Sequence, residues 1–226
     1  MNEALSAAAS KPGTSPRPVP WRLTITLALV AVVAAGFLVA FAVPYVVPDA
    51  ARAAFYASRR GWLLLHIAAG AAALLAGPVQ LWLGLAGRHL ALHRQLGRAY
   101  ASSVAVGAVA ALYLAFHTTF GWVFGMGLTG LAIAWIVTTG LAVAAIRRGQ
   151  VHQHREWMIR SYVVTFAFVT FRLFVGVLQA AGVGTQLEQF AAASWFCWAV
   201  PLLVTEAILQ GRKIAATGSA HAVPPA

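Results

Sequence analysis

The chain has 226 residues, of which 61% are hydrophobic and only 9% are charged, and its formal net charge is +11 at pH 7. These charged side chains are too few to cover the surface of a soluble globular protein of this size. The composition therefore excludes a soluble globular protein. The excess of basic residues therefore does not indicate a nucleic-acid partner. Its explanation is sought in the positions of the cations relative to the membrane.

Six apolar runs are long enough to cross the hydrocarbon core of a bilayer, which needs about 20 helical residues. We therefore predict an all-α, polytopic transmembrane helical bundle, with the transmembrane helical domain over residues 21–211. Pro-rich and polar segments at residues 1–20 and 212–226 are predicted to be disordered cytoplasmic tails. The six predicted spans cover residues 21–47, 61–85, 97–119, 120–146, 157–181 and 190–210.

The basic residues are distributed unevenly between the two sides of these spans. With the N-terminus in the cytoplasm, twelve Lys and Arg residues fall on the inner side and only Arg52, Arg59 and Arg60 on the outer side. This bias follows the positive-inside rule and predicts that both termini are cytoplasmic. Arg172 alone is left within the membrane.

A weak internal repeat relates the second span to the fourth. At an offset of 60 residues, Gly61 and Trp62 align with Gly121 and Trp122. A genuine repeat predicts a four-helix core made of spans two to five. The alternative is chance recurrence, because Gly and Trp are common in membrane helices.

Two similar segments, "HRQLGRAY" and "HREWMIRSY", begin the third and fifth spans. They place His93 and His154 near the inner face, followed by Arg98 and Arg160. Positive charge at a helix N-terminus is unfavourable unless an anion lies nearby. The positive-inside bias and lipid phosphate explain these arginines without a special site. The other candidates are an anionic substrate, or the propionates of haem b with the two histidines as ligands of its iron.

Two further ionisable residues, His66 and Arg172, lie inside predicted spans. A charge at that depth is costly and needs a partner or a cavity. The carboxylates expected near the membrane are Glu206, at the depth of Arg160, and Glu188 in an outer loop. We therefore predict a polar network that joins Arg172 to His66, to water or to a cofactor carboxylate. For each histidine, a packed and hydrogen-bonded ring with no other role is the alternative.

Three segments, "HIAAGAAALLAGPVQ", "HRQLGRAY" and "HREWMIRSYVVTFAFVTFRL", resemble a bacterial family of predicted membrane proteins, domain of unknown function 2306. The resemblance covers spans two to five. It implies a multi-pass protein of the bacterial cytoplasmic (inner) membrane and brings no established activity. The family-like positions are His66, Gln80, His93, Arg98, His154, Arg160 and Arg172.

A looser likeness is to haem proteins of the cytochrome b561 type, which have six helices and a four-helix core holding two haems. It implies that His93 and His154 hold one haem. Span four lacks a histidine, and only Met126 occupies the place opposite His66. Histidine and methionine together can ligate haem iron, so Met126 is the candidate for that position.

These observations favour b-type haem or quinone-linked electron transfer, with a quinone or another redox protein as partner. A small transporter or an anion- or lipid-binding membrane protein is the first alternative, and a non-catalytic membrane assembly subunit is the second. The sequence contains no nucleotide-binding loop, zinc signature or serine nucleophile motif, and it leaves open whether the protein is an enzyme. Its single cysteine, Cys197, excludes an internal disulfide.

Overall fold

The computed structural model describes residues 19–220, with side chains described through Thr217. Within this range every regular element is helical, which confirms the all-α prediction; the predicted tails at 1–18 and 221–226 lie outside the described residues. The elements are α1 (Trp21–Phe37), a π-helix (Leu38–Ala42), α2 (Val43–Val46), α3 (Ala50–Tyr56), a 3-10 turn (Ala57–Arg59), α4 (Arg60–Ala86), α5 (Leu90–Phe116), α6 (Trp122–Arg147), α7 (Val151–Thr165), α8 (Ala167–Ala180) and α9 (Gln186–Ala220).

The number of membrane spans agrees with the sequence prediction. Five helical stretches of the described chain are long and apolar enough to cross a membrane, and the total is six if α7 and α8, which meet at a bend of 44°, are counted as one span. The five unbroken stretches are Trp21–Val46, Ala50–Ala86, Leu90–Phe116, Trp122–Arg147 and Gln186–Thr217.

Several helices extend beyond the predicted spans, α7 among them with its start at Val151, because hydropathy marks the apolar part of a span and not the helical turns beyond it. α5 begins at Leu90, so the polar stretch before Gly97 forms its first turns. α9 continues through Ala220, into the segment predicted to be a tail. There Lys213 Nζ lies 2.8 Å from Glu156 Oε2 of α7, which ties the end of α9 to the bundle.

The core of the protein is a closed ring of four helices. α4 packs against α5, α5 against α6, α6 against α7, and α7 returns to α4. α9 covers α6, α7 and α8, whereas α1 packs chiefly against α4. The predicted four-helix core is confirmed, and α5 and α7 lie diagonally across it.

The bend between α7 and α8 has a local cause. Three β-branched residues in succession, Val163, Val164 and Thr165, weaken the helix immediately before the break. The Thr165 hydroxyl also donates a 2.8 Å hydrogen bond to the carbonyl oxygen of Ser161, one turn earlier. Bonds of this kind often bend helices. The α7–α8 pair is therefore bent, with Phe166 at the break.

Pro78 within α4 explains why Gly77 and Tyr162 lie together. Proline has no amide hydrogen, so the carbonyl of Leu74 loses its partner within the helix. The Tyr162 hydroxyl donates a 3.0 Å hydrogen bond to that carbonyl. The ring can reach this carbonyl because Gly77 has no Cβ; a Cβ there would overlap the Tyr162 ring. A motif of α4 and a motif of α7 thus form one joint.

A buried hydroxyl network connects α5, α6 and α7 at the level of the bend. Thr165 Oγ1 accepts a 2.7 Å hydrogen bond from Trp135 Nε1 and donates to a backbone carbonyl. Tyr100, at 2.7 Å, must therefore donate to Thr165. Tyr100 then accepts from Ser161, which accepts from Thr139, at 2.8 and 2.7 Å. Every bond in the chain has a defined direction, so the network fixes the three helices.

Candidate functional site

A cavity of about 490 Å³ lies at one end of the bundle, which we call the Arg59 end: α4 and α6 begin there, and α5 and α8 finish there. Its walls come from α1 and the π-helix, from α4 and α6, and from the start of α8. Ten Phe, Tyr and Trp side chains line it. Among the described residues no Asp or Glu lines it, while two arginines and one histidine do.

Arg172 is half-buried in this cavity, about 12 Å from the end of α8 by helical rise. Its guanidinium lies 5.2 Å from the centre of the Phe41 ring and 5.9 Å from that of Phe171. Its hydrogen bond is a long one, 3.5 Å from Nη2 to the hydroxyl of Tyr45. Within residues 19–220 no carboxylate pairs with it. Most of its donors are therefore available to a ligand.

Arg59 supplies a second positive charge at the mouth of the cavity. Its Nη1 donates a 2.6 Å hydrogen bond to the carbonyl of His117, at the end of α5. The guanidinium also lies over the rings of Phe55 and Tyr56, at 5.1 and 5.5 Å. Like Arg172, it pairs with no carboxylate in the described part of the chain. The cavity therefore carries positive charge in an aromatic surrounding.

His66 lies deeper in the same cavity. Its Nδ1 is 2.9 Å from the carbonyl oxygen of Gly107 on α5. The rings of Trp135 and Phe168 meet the imidazole at steep angles, with centroids 6.5 and 6.0 Å away. His66 and Arg172 thus line one cavity, in agreement with their similar predicted depth, but among the described residues no hydrogen bond joins their side chains. The Tyr45 contact of Arg172 was not predicted.

His93 and His154 lie at the opposite end of the bundle, which we call the Arg160 end. His154 Nδ1 is 2.9 Å from the carbonyl of Ala142 on α6. The His93 ring packs closely against Gly84 of α4, and its Nδ1 is buried without a hydrogen-bond partner. Gln80 donates a 2.7 Å hydrogen bond to the backbone carbonyl of His93, while its own Oε1 has no partner.

Arg160, one of the candidate anion-binding residues, is paired with two carboxylates. Its Nε donates a 2.7 Å hydrogen bond to Glu206, the carboxylate that the sequence placed at this depth. Its Nη1 lies 3.7 Å from Glu156, which also binds Lys213. Glu156 was not predicted as a partner because it precedes the apolar run of the fifth span and was therefore assigned to a loop, whereas α7 in fact includes it. Arg98 is exposed.

Met126 does not lie opposite His66. Its side chain is 49% exposed on the surface of the bundle, and it is not among the residues that line the cavity. Among the described residues no group of three His, Cys, Asp or Glu side chains could hold a metal ion. The structure therefore does not bring His66 and Met126 together.

The three sequence motifs contact one another. Gln80 binds the backbone of His93, Tyr162 binds the backbone of α4, and Tyr100 binds Ser161. The tyrosines that end the two similar segments thus serve the helix packing. The cavity, by contrast, takes Arg59 and Tyr45 from outside these motifs, and the sequence carries no periodic signal that would assign them to it.

The fold and the cavity define a polytopic helical membrane protein with a cationic, aromatic-lined site inside its bundle. Residues 63–209 match the model of the family described as "Predicted membrane protein (DUF2306)", and the chain belongs to this family. The match confirms the resemblance seen in the sequence and includes both His66 and Arg172. No curated protein and no solved structure matches the chain.

Proposed function

We propose that this protein binds an amphipathic anion in the cavity at the Arg59 end. The observation that carries the proposal is Arg172, a guanidinium inside a membrane span that lines a cavity and has no carboxylate partner among the described residues. A buried charge without a partner is costly, and an anionic ligand would offset that cost. Carboxylate and phosphate groups match the planar donor fork of arginine.

The remaining lining fits the apolar part of such a ligand. Aromatic side chains supply a large apolar contact area. An aromatic ring or alkyl chain of the ligand that leaves the lipid would therefore gain equivalent apolar contacts in the cavity. The ligand would enter from the bilayer on the side of α1, which packs chiefly against α4 and is followed by the π-helix of the cavity wall. π-helical turns often occur at functional sites because they redirect side chains. Here the π-helix carries Phe41, which lies against Arg172.

Replacing Arg172 by Gln tests the proposal. With phenylbutyrate as the probe and purified protein in detergent, we expect the variant to bind about 10- to 100-fold more weakly, because a charge-assisted hydrogen bond is lost. Arg148→Gln is the matched control, since Arg148 is an exposed residue at the end of α6. Calorimetric titration gives both affinities. Equal affinity of Arg172→Gln and wild type would refute the proposal.

For the orientation, we propose that the protein lies in the bacterial inner membrane with both termini in the cytoplasm. The excess of cations in the loops at the Arg160 end supports this direction. The cavity would then lie in the outer half of the membrane. The ligand would then enter the cavity from the outer leaflet.

A second candidate is a b-type haem at the Arg160 end, with a quinone or another redox protein as partner. His93 and His154 lie on the two diagonal helices of the core, and the bond from His154 Nδ1 to a backbone carbonyl is the usual support of a ligating imidazole. His93 lacks such a bond, so the pair fits haem only in part. When bound, haem would supply one-electron transfer. The exposed Arg98 would be available to a propionate.

The visible spectrum tests this second candidate. Protein purified from haem-replete cells should show a b-type spectrum that changes on reduction. Replacing either His93 or His154 by Ala should remove it, whereas His117→Ala, at the other end of α5, should not. A folded wild type without haem under these conditions would end the electron-transfer hypothesis.

A further inference from the structure

We infer that His66 accepts a hydrogen bond from the ligand, so that the cavity selects anions that carry a hydroxyl group on a ring. This inference rests on the proposed function and names the class of ligand that the same cavity takes. The class is that of hydroxyaryl anions, with the negative charge at Arg172 and the hydroxyl at the deep end.

The hydrogen bond to Gly107 defines the tautomer of His66. A backbone carbonyl only accepts hydrogen bonds, so Nδ1, which is 2.9 Å from it, must carry the proton. In the neutral imidazole the other nitrogen, Nε2, is then an acceptor. Nε2 has no hydrogen-bond partner among the described residues, and the ring lines the cavity. A donor on the ligand would satisfy it.

The other polar side chains at this depth are already satisfied. Thr165 Oγ1 accepts from Trp135 and from Tyr100 and donates to a backbone carbonyl, which uses all its capacity. The single donor of Trp135 is used in the same contact. His66 is therefore the side chain of the deep cavity that is left to recognise a polar group.

The imidazole is held in place before any ligand binds. Besides the Gly107 bond, the edges and faces of Trp135 and Phe168 enclose it on two sides. An acceptor held in this way loses little conformational freedom on binding. Arg172 follows Phe168 by one helical turn, which is about 6 Å along α8. One ring with a short acidic arm would therefore reach both His66 and Arg172.

Two probes that differ only by the hydroxyl test this inference: phenylbutyrate and para-hydroxyphenylbutyrate. We expect wild type to bind the hydroxylated compound about tenfold more tightly, equivalent to about 1.4 kcal/mol. His66→Phe should bind both compounds with equal affinity, because the acceptor that distinguishes them is lost. His66→Gln retains an acceptor and should recover part of the preference, which guards against a folding defect in the first variant. His117→Phe, outside the cavity, should behave as wild type.

The outcomes separate the two proposals. If wild type binds neither compound, the proposed function fails. If wild type binds both with equal affinity, the anion site stands and the role of His66 is refuted. A preference for the hydroxylated compound that survives in His66→Phe would also refute it.

Discussion

Replacing Arg160 by Met is expected to lower the free energy of unfolding by about 3 kcal/mol, at the lower end of the range for removing one partner of a buried ion pair. Arg160 is only 6% exposed and contacts two carboxylates, Glu206 and Glu156. The expected loss of stability is not larger for two reasons. Glu156 retains its ion pair with Lys213, and the Glu206 side chain is 41% exposed, so water can solvate its charge. Thermal or denaturant unfolding in detergent measures the change.

Arg155→Met is the matched control, since Arg155 is an exposed residue on the same helix. It should leave the unfolding midpoint unchanged. Glu206→Gln should be destabilising, and its combination with Arg160→Met should cost less than the sum of the two, because both remove the same contact. Strict additivity, or equal losses for Arg155 and Arg160, would contradict the assigned ion pair.

The architecture was predictable from the sequence because the bilayer imposes simple rules on it. Spans need about 20 apolar residues, and the six apolar runs correspond to five unbroken helical stretches and the bent α7–α8 pair. The depth of a residue along its helix then paired Arg160 with Glu206, and the 2.7 Å contact confirms this pairing. Helix ends were less predictable, because the polar turns of α5 and α9 continue beyond the apolar runs.

The site was predictable only in part. Helical depth brought His66 and Arg172 to one level, and both line the cavity. Tyr45 comes from the short helix α2 and Arg59 from the 3-10 turn, and the geometry of both elements depends on contacts with other helices. The bend at Phe166 had a visible signal in its three preceding β-branched residues. The role of Tyr162 could not be predicted without knowing that its hydroxyl lies beside the Leu74 carbonyl, which Pro78 leaves without a partner in the helix.

Filling the cavity from Gly70 is expected to have the largest effect on binding. Gly70 lines the cavity, and a Cβ added there meets no atom within 4 Å. A Trp at this position is expected to occupy the ligand's space, because its Cβ would meet no other atom and the position lines the cavity. We expect Gly70→Trp to weaken phenylbutyrate binding by more than about 100-fold, which corresponds to about 2.8 kcal/mol. Its unfolding midpoint should equal that of wild type.

Gly140→Trp provides the matched control, because Gly140 is exposed on α6, has the same open space and does not line the cavity. Calorimetric titration of phenylbutyrate into the Gly70→Trp and Gly140→Trp variants tests the central claim most directly. The account predicts that binding is lost in the first and retained in the second, with both proteins folded. Retained binding in a folded Gly70→Trp protein would contradict it.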